Sequence, residues 1–219
     1  MNKKYLKIID HTLLRQDATL MDVQRCCLEA KQWGFCSVIT QPWYVPQVRR
    51  LLDGTGVKCG TVIGFPFGAE FSPVKVFQAE RALEAGAQEL DMVMNISAFK
   101  NGDYQACQKD IEAVVKVGLP VKVIIESSLL SRDEIIRACQ ICIDAGAAFV
   151  KTSTGYFGGG ATVDSVRLMK EACGGRIKVK AAGGIRTAED LAAMVEAGAD
   201  RIGTSGAANI ARGLMSSGY

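Results

Sequence analysis

The chain has 219 residues, of which 48% are apolar and 22% are charged, and its formal net charge is +3. These values are typical of a globular protein with one large core. The sequence contains no cluster of basic residues, so nucleic acid is not a favoured partner. The first ten residues lack the long apolar core and small-residue cleavage site of a signal peptide, and no apolar run could span a bilayer. We therefore expect a cytoplasmic protein that binds neither nucleic acid nor membrane.

Short apolar runs rich in valine and isoleucine alternate along the chain with longer segments of helical periodicity. The predicted strands, in chain order, are Ile8–Leu14, Cys36–Thr40, Lys58–Phe65, Glu89–Asn95, Val121–Ser127, Phe149–Thr154, Lys178–Ala182 and Arg201–Thr204. Strands that alternate with helices form a parallel sheet with right-handed crossovers. Eight such units predict a (β/α)8 TIM barrel that forms a single domain over residues 1–219.

Local motifs mark where several helices begin. The predicted starts are Ser72-Pro73, Ser131–Glu134 and Thr187–Asp190. The first predicts an N-cap at Ser72 before a proline in the first helical position, and the other two predict capping boxes.

A short repeat marks where three helices end and the next strand approaches. Its copies are Glu84–Ala87, Asp144–Ala147 and Glu196–Ala199, and each contains a glycine that we interpret as the helix C-cap. The residues five places after these glycines are Asp91, Lys151 and Gly203. A charged residue therefore recurs at the same depth of two strands, which a purely structural repeat does not explain.

Two lysines, Lys151 and Lys180, lie on strands that we expect to be buried. Burial of an ammonium group is unfavourable, so such a lysine tends to lose its proton, and two neighbouring lysines lower each other's pKa. A neutral amine is a nucleophile that forms Schiff bases with carbonyl compounds. If only one of these lysines were present, we would interpret it as a residue at a strand end whose ammonium group reaches solvent. Two lysines and Asp91 in matching strand positions favour a catalytic site instead.

Glycine-rich segments follow the last three predicted strands. They contain Gly155, Gly183, Gly184, Gly203 and Ser205. Glycines allow backbone N–H groups to approach an anion, and the loops after strands seven and eight are a frequent phosphate site in this fold. These glycines could serve only to turn the chain, but around a lysine pair they favour a phosphorylated substrate.

Other polar residues allow two interpretations each. Lys122 lies near the start of its strand, where a structural ion pair and a role in the site are equally plausible. Asp10, His11 and Thr12 on the first strand offer polar groups inside the barrel, either for substrate hydroxyls or as a buried cluster. Tyr219 ends the chain and is either part of a disordered tail or a proton donor at the barrel mouth.

The cysteine and histidine content bears on cofactors. The eight cysteines show no paired metal-type spacing, and a single histidine excludes a multi-histidine zinc site. We expect neither a metal nor an organic cofactor. Two different classes of protein remain as alternatives, a redox protein that uses Cys139 and Cys142 and a non-catalytic sensor of a sugar phosphate.

Six segments, in the same order and spread over most of the chain, resemble the deoxyribose-phosphate aldolase family. They are Asp10–Leu14, Gly64–Pro66, Glu89–Val93, Lys122–Glu126, Lys151–Gly155 and Lys180–Thr187. The resemblance implies reversible cleavage of 2-deoxy-D-ribose 5-phosphate to acetaldehyde and D-glyceraldehyde 3-phosphate, a step in deoxyribose catabolism. It also agrees with our expectation of a homo-oligomer, either a dimer or a tetramer.

The resemblance also implies roles for residues. Lys151 matches the Schiff-base lysine, Lys180 the neighbour that lowers its pKa, Asp91 a residue of proton transfer, and Tyr219 a C-terminal tyrosine linked to proton transfer. The positions that match the phosphate site are Gly155, Gly183, Gly184 and Ser205. We add Asp10, Thr12, Lys122 and Gly203 as candidate substrate-binding residues.

Three positions depart from the family pattern. Ile39 and Gln41 stand where many members have cysteine and asparagine, and Tyr156 replaces a lysine found after the Lys-Thr-Ser-Thr-Gly segment in some members. These changes concern substrate contacts rather than the lysine chemistry. Another Schiff-base barrel aldolase, acting on a keto-sugar phosphate, is the nearest alternative.

Overall fold

The structure is a computed structural model that describes residues 3–216. Its strands are parallel and close into a barrel in sequence order, with the eighth strand beside the first. They are β1 (Ile9–Leu13), β2 (Ser37–Thr40), β3 (Lys58–Ile63), β4 (Glu89–Val93), β5 (Val121–Ile124), β6 (Phe149–Lys151), β7 (Lys178–Ala182) and β8 (Arg201–Thr204). The predicted (β/α)8 barrel is thereby confirmed.

Helices cover the outside of the barrel. They are α1 (Lys3–Leu6), α2 (Leu20–Trp33), α3 (Val45–Leu51), α4 (Ser72–Glu84), α5 (Ile96–Lys100), α6 (Tyr104–Val115), α7 (Arg132–Asp144), α8 (Val163–Cys173), α9 (Ala188–Glu196) and α10 (Ala207–Ala211). Short 3-10 turns lie at Pro42–Tyr44 and Ser127–Leu129. No helix in the described part of the chain is long and apolar enough to cross a membrane.

The helix ends agree with most of the local motifs. Ser131 and Thr187 form the capping boxes that the sequence predicts. The prediction for Ser72 was wrong by one residue, because the N-cap is Phe71 and Ser72 already lies in the first turn of α4. The prediction that the three repeat glycines are C-caps was also wrong by one residue, because the C-caps are the alanines before them. The glycines lie one residue beyond and have positive φ angles, where a missing β-carbon removes strain.

The apolar core lies between the barrel and its helices. Alternate strand residues point outward into it, as Ile9, Val38 and Leu90 do, because successive side chains on a strand face opposite sides. The residues that face the inside of the barrel are largely polar or charged. Leu14, Ile39 and Val62 form a small apolar cluster of their own, and charged side chains fill the interior nearer the amino ends of the strands.

Candidate active site

Asp91 on β4 joins three lysines that come from three other strands. Its Oδ1 lies 3.0 Å from the Nζ of Lys122, and its Oδ2 lies 2.7 Å from the Nζ of Lys151 and 2.6 Å from the Nζ of Lys180. Lys151 and Lys180 are direct partners in the register of β6 and β7, so their side chains enter the barrel side by side. All four residues are buried.

The surroundings of Lys151 favour the neutral amine. Burial lowers the pKa of Lys151 to about 8, Asp91 opposes this change, and the positive charge of Lys180 adds to it. Lys151 also lines the cavity described below, whereas Lys180 is fully buried and does not. Of the two lysines, Lys151 is therefore the one that combines a lowered pKa with access to a ligand.

Lys122 lies deeper in the barrel and contacts three carboxylates. Its Nζ is 2.8 Å from Glu89 Oε2 and 3.7 Å from Asp10 Oδ2, besides its contact with Asp91. Burial alone would lower the pKa of Lys122, but Asp91, Asp10 and Glu89 together raise it above its ordinary value. Lys122 thus remains a cation, and its place is in a buried ion cluster beneath the cavity.

The side chains of Asp10, His11 and Thr12 on β1 point into three different surroundings. Asp10 belongs to the buried cluster, where its carboxylate lies 2.6 Å from Lys180 Nζ, and Thr12 lines the cavity. His11 does not face the inside of the barrel, so that expectation was wrong. Its Nε2 lies 2.8 Å from a carboxylate oxygen of Glu29 on α2, because the residue after an inward-facing one must face outward.

A cavity of about 350 Å³ opens at the carboxyl ends of the strands, next to Lys151. The five residues of the predicted phosphate site all line it, namely Gly155, Gly183, Gly184, Gly203 and Ser205. A β-carbon at Gly155 or Gly184 would meet no atom within 4 Å, so the backbone at both positions borders open space. At Gly203 a β-carbon would lie 3.0 Å from Lys180 Cε, so glycine also leaves room for that lysine.

Tyr156 and Arg186 are further residues of the cavity wall. The Tyr156 hydroxyl donates a hydrogen bond to the carbonyl of Leu14 at 2.6 Å, and its ring meets Phe65 edge to face. The sequence reasoning did not single out Arg186, an exposed residue of the cavity wall that lies two residues after the Gly183-Gly184 pair. Ile39 is fully buried in the small apolar cluster, and Gln41 donates to the carbonyl of Arg15.

Two further charged residues of the barrel interior were missed. Glu89 opens β4 and Arg201 opens β8, and both lie in the ion cluster. The period of two along a strand could have found them, since Glu89 shares a face with Asp91 and Arg201 shares one with Gly203.

Tyr219 lies outside the described residues. Cys139 and Cys142 are buried on α7, where burial raises the pKa of the Cys142 thiol.

Known proteins resemble this chain over nearly its whole length. Residues 4–214 match the model of the DeoC/LacD family aldolases. Proteins named deoxyribose-phosphate aldolase are 51% identical over 209 residues in Thermoanaerobacter sp. (93% of this chain, 94% of that one) and 53% identical over 213 residues in Thermococcus gammatolerans (94% and 95%). The tetrameric deoxyribose phosphate aldolase from Aeropyrum pernix superposes with a TM-score of 0.90 at 36% identity, covering 96% of this chain and 90% of that one. The chain belongs to the DeoC/LacD family of aldolases.

Proposed function

We propose that this protein is a deoxyribose-phosphate aldolase that cleaves 2-deoxy-D-ribose 5-phosphate reversibly through a Schiff base on Lys151. The observation that carries the proposal is the position of Lys151, a buried amine with a pKa of about 8 that borders a glycine-lined cavity. The relatives named above support the substrate.

The first half of the reaction forms the electron sink. Neutral Lys151 attacks the aldehyde carbon C1 of the open-chain sugar, and the carbinolamine loses water to give a protonated imine. Asp91 lies 2.7 Å from the attacking nitrogen and takes part in the proton transfers of this step, with Lys180 on the same carboxylate oxygen. The positive imine then withdraws electrons from the bond between C2 and C3.

The second half breaks the carbon–carbon bond. Asp91, through a water molecule or together with Lys180, accepts the proton of the 3-hydroxyl group as the C2–C3 electrons move toward the imine. D-Glyceraldehyde 3-phosphate leaves, and an enamine remains on Lys151. Protonation of the enamine at C2 and hydrolysis of the resulting imine release acetaldehyde and restore the amine. The proton donor to C2 is either a water molecule held by Asp91 and Lys180 or the phenol of Tyr219.

The phosphate end of the substrate is bound at the other side of the cavity. Backbone groups of Gly155, Gly183, Gly184 and Ser205 offer N–H donors, and Arg186 adds positive charge. Thr12 lines the same cavity, and its hydroxyl suits a hydroxyl group of the sugar. Binding energy from the phosphate thereby fixes C1 of the sugar against Lys151.

Two further proposals concern the protein in the cell. We propose a homo-oligomer, supported by the tetrameric relative from Aeropyrum pernix and testable by light scattering in solution. We also propose a cytoplasmic location, supported by the eight free cysteines, which suit a reducing compartment and which a thiol count on protein from intact cells would test.

Trapping of the imine tests the proposed function directly. The protein is incubated with acetaldehyde and borohydride, digested and mapped by mass spectrometry, and we expect one two-carbon adduct, on Lys151. Lys151→Met should lose the adduct and all measurable cleavage while remaining folded, and Lys178→Met serves as the matched control at an exposed lysine of the next strand. An adduct on Lys180 would exchange the roles of the two lysines, and the absence of any selective adduct would refute the mechanism.

A further inference from the structure

Beneath Asp91 the barrel contains a second layer of charge, nearer the amino ends of the strands. Glu89 is its centre. Its Oε2 lies 2.8 Å from Lys122 Nζ and 3.0 Å from Arg201 Nη1, and its Oε1 lies 2.8 Å from Lys58 Nζ. Arg201 also contacts Asp10 Oδ1 at 2.7 Å, and Lys122 contacts Asp91 Oδ1 at 3.0 Å, so the layer reaches both carboxylates that contact the lysine pair.

The buried groups do not balance when every one of them is charged. The cations are Lys122, Lys151, Lys180 and Arg201, and the carboxylates are Asp10, Glu89 and Asp91. Each residue of this set is at most 8% exposed, and a net charge in such surroundings is unfavourable. With three ionised carboxylates, one of the four basic groups is left without a matching charge and is the one that loses its proton most readily.

The contacts decide which basic group this is. Arg201 stays protonated because of its chemistry, Lys122 contacts three carboxylates, and Lys180 contacts two. Among the carboxylates of residues 3–216, Lys151 contacts only that of Asp91, through an oxygen that it shares with Lys180. The least compensated cation is thus the amine that borders the cavity.

We propose that Glu89 and Arg201 are positioning residues that determine, from the far end of the barrel, which lysine of the active site is neutral. Glu89 does so by offsetting part of the charge of Lys122 and Arg201, so that Asp91 and Asp10, which these two cations also contact, can stabilise the lysine pair as well. Arg201 does so by supplying the permanent charge that makes one further proton inside the barrel unfavourable. This inference rests on the proposed function, since it concerns Lys151 as the nucleophile.

Each charged or titratable group around Lys151 has a defined place in this scheme. Inside the barrel they are Asp10 on β1, Lys58 on β3, Glu89 and Asp91 on β4, Lys122 on β5, Lys180 on β7, Arg201 on β8 and the Cys36 thiol before β2. On the cavity side they are Tyr156 and Arg186 in the cavity wall and Glu126, which accepts a hydrogen bond from Thr154, and none of the variants below changes these three. Burial would raise the pKa of the Glu89 carboxyl, but Lys122 and Arg201 lower it, so Glu89 is ionised at neutral pH. Lys58 is the member of the layer that reaches solvent, with its side chain 46% exposed.

The test is the pH profile of kcat/KM for 2-deoxyribose 5-phosphate, whose rising limb follows the loss of the proton from Lys151. Glu89→Gln removes a negative charge, so it should move this limb to lower pH by at least about half a unit. Arg201→Gln removes a positive charge and should move it to higher pH by a similar amount. The double variant should return close to the wild-type midpoint, because the two charge changes cancel.

Lys58→Gln tests the same layer from the solvent side and leaves the packing of the core intact, which matters if Glu89→Gln does not fold. We expect a smaller shift to higher pH, because solvent screens Lys58. Lys178→Gln is the matched control. Lys178 also opens its strand and lies 5.6 Å above the Phe149 ring, but it forms no ion pair with the described residues, so the midpoint should not move.

The outcomes separate this inference from the proposed function. The first outcome is that the wild-type protein gives the Lys151 adduct, but Glu89→Gln and Arg201→Gln move the rising limb in the same direction or not at all. This outcome overturns the inference about Glu89 and Arg201 and leaves the proposed function intact. If Glu89→Gln is unfolded, Lys58→Gln replaces it in the test. The inference is then overturned if the midpoint of its kcat/KM profile equals that of Lys178→Gln. Wild-type protein without an adduct on Lys151 overturns both proposals.

Discussion

Lys180 disfavours the protonated form of Lys151 in two ways. Its charge repels a proton on Lys151, and its Nζ shares the Asp91 oxygen that would otherwise stabilise the Lys151 ammonium alone. Replacement by an apolar side chain removes both effects, so Lys180→Met should raise the pKa of Lys151. We expect the rising limb of the kcat/KM profile to move to higher pH by at least about one unit, with activity at pH 7 reduced at least about tenfold.

A second measurement distinguishes this role from direct attack by Lys180. The acetaldehyde adduct of Lys180→Met should still form on Lys151, more slowly at neutral pH and at nearly the wild-type rate only where the pH lies well above the raised pKa. An unchanged pH profile would remove Lys180 from the mechanism.

The sequence was sufficient to find Lys151, Lys180 and Asp91, because each lies where a charged side chain is unusual. Glu89 and Arg201 were missed because they open their strands, and a charge at a strand end is usually solvated. Closure of the barrel buries both side chains and makes them part of the ion cluster. The role of all five residues in catalysis stays a prediction until the variants are measured.

At the level of elements, the cavity wall depends on two glycines in neighbouring loops. A β-carbon at Gly160 would lie 2.6 Å from the carbonyl oxygen of Gly183, so the loops after β6 and β7 can touch only because residue 160 has no side chain. The amide of Ala161 also donates to this carbonyl at 3.1 Å. The shape of the proposed phosphate site therefore depends on a contact between two backbones.

Gly160→Ala should separate these loops and weaken the binding of phosphate. Since the φ angle at residue 160 is not positive, the expected effect is steric rather than conformational. We expect KM for 2-deoxyribose 5-phosphate to rise about tenfold or more. Separation of the two loops moves the backbone N–H groups that bind phosphate, and each hydrogen bond lost costs about 1 kcal/mol. Unphosphorylated 2-deoxyribose is the control substrate, and its kcat/KM should change little. An equal loss for both substrates would argue against phosphate binding here.

The elements themselves were largely predictable, since β7 and β8 begin and end where the periodicity indicates. β6 is shorter than expected and ends at Lys151. The backbone of Thr152 still donates to the carbonyl of Lys180 at 3.1 Å and accepts from the amide of Ser127 at 2.8 Å. Beyond it, side chains take over the contacts with neighbouring segments: the Thr152 hydroxyl donates to the carbonyl of Ala182 on β7, and the Thr154 hydroxyl donates to Glu126. These partners are distant in sequence, so the end of β6 could not be predicted from local periodicity.

For the whole molecule, closure of the barrel assembles the site from residues that the strand register alone would keep apart. Lys122 pairs with Asp91 on one side and with Phe149 on the other, so Lys151 lies two residues further along its strand. Strand tilt in a closed barrel compensates for this offset and brings Lys151 to Asp91. The number of repeating units predicts the barrel, but these distances follow only from its closure.

The same assembly has a cost in stability, which leads to the last prediction. A lysine whose pKa is lower in the folded chain than in the unfolded chain destabilises the fold below the folded pKa. This destabilisation disappears as pH rises toward the unfolded value. For Lys151 the window runs from pH 8 to about 10.4. Lys151→Met removes the group and leaves three cations against three carboxylates, so the variant should be more stable than the wild type at pH 7, by about 1–3 kcal/mol.

Thermal unfolding at pH 7 and pH 10 measures this difference. Lys151→Met should melt above the wild type at pH 7, and the gap should narrow at pH 10, where the wild-type amine has lost its proton in the folded state. Lys178→Met is the control, because its side chain lies at the solvent-exposed start of β7 and its replacement should leave the gap near zero at both pH values. If Lys151→Met melts below the wild type at pH 7, the ion pair with Asp91 outweighs the burial of the charge. The proton on Lys151 would then stabilise the fold, and the neutral amine would be the less favourable state.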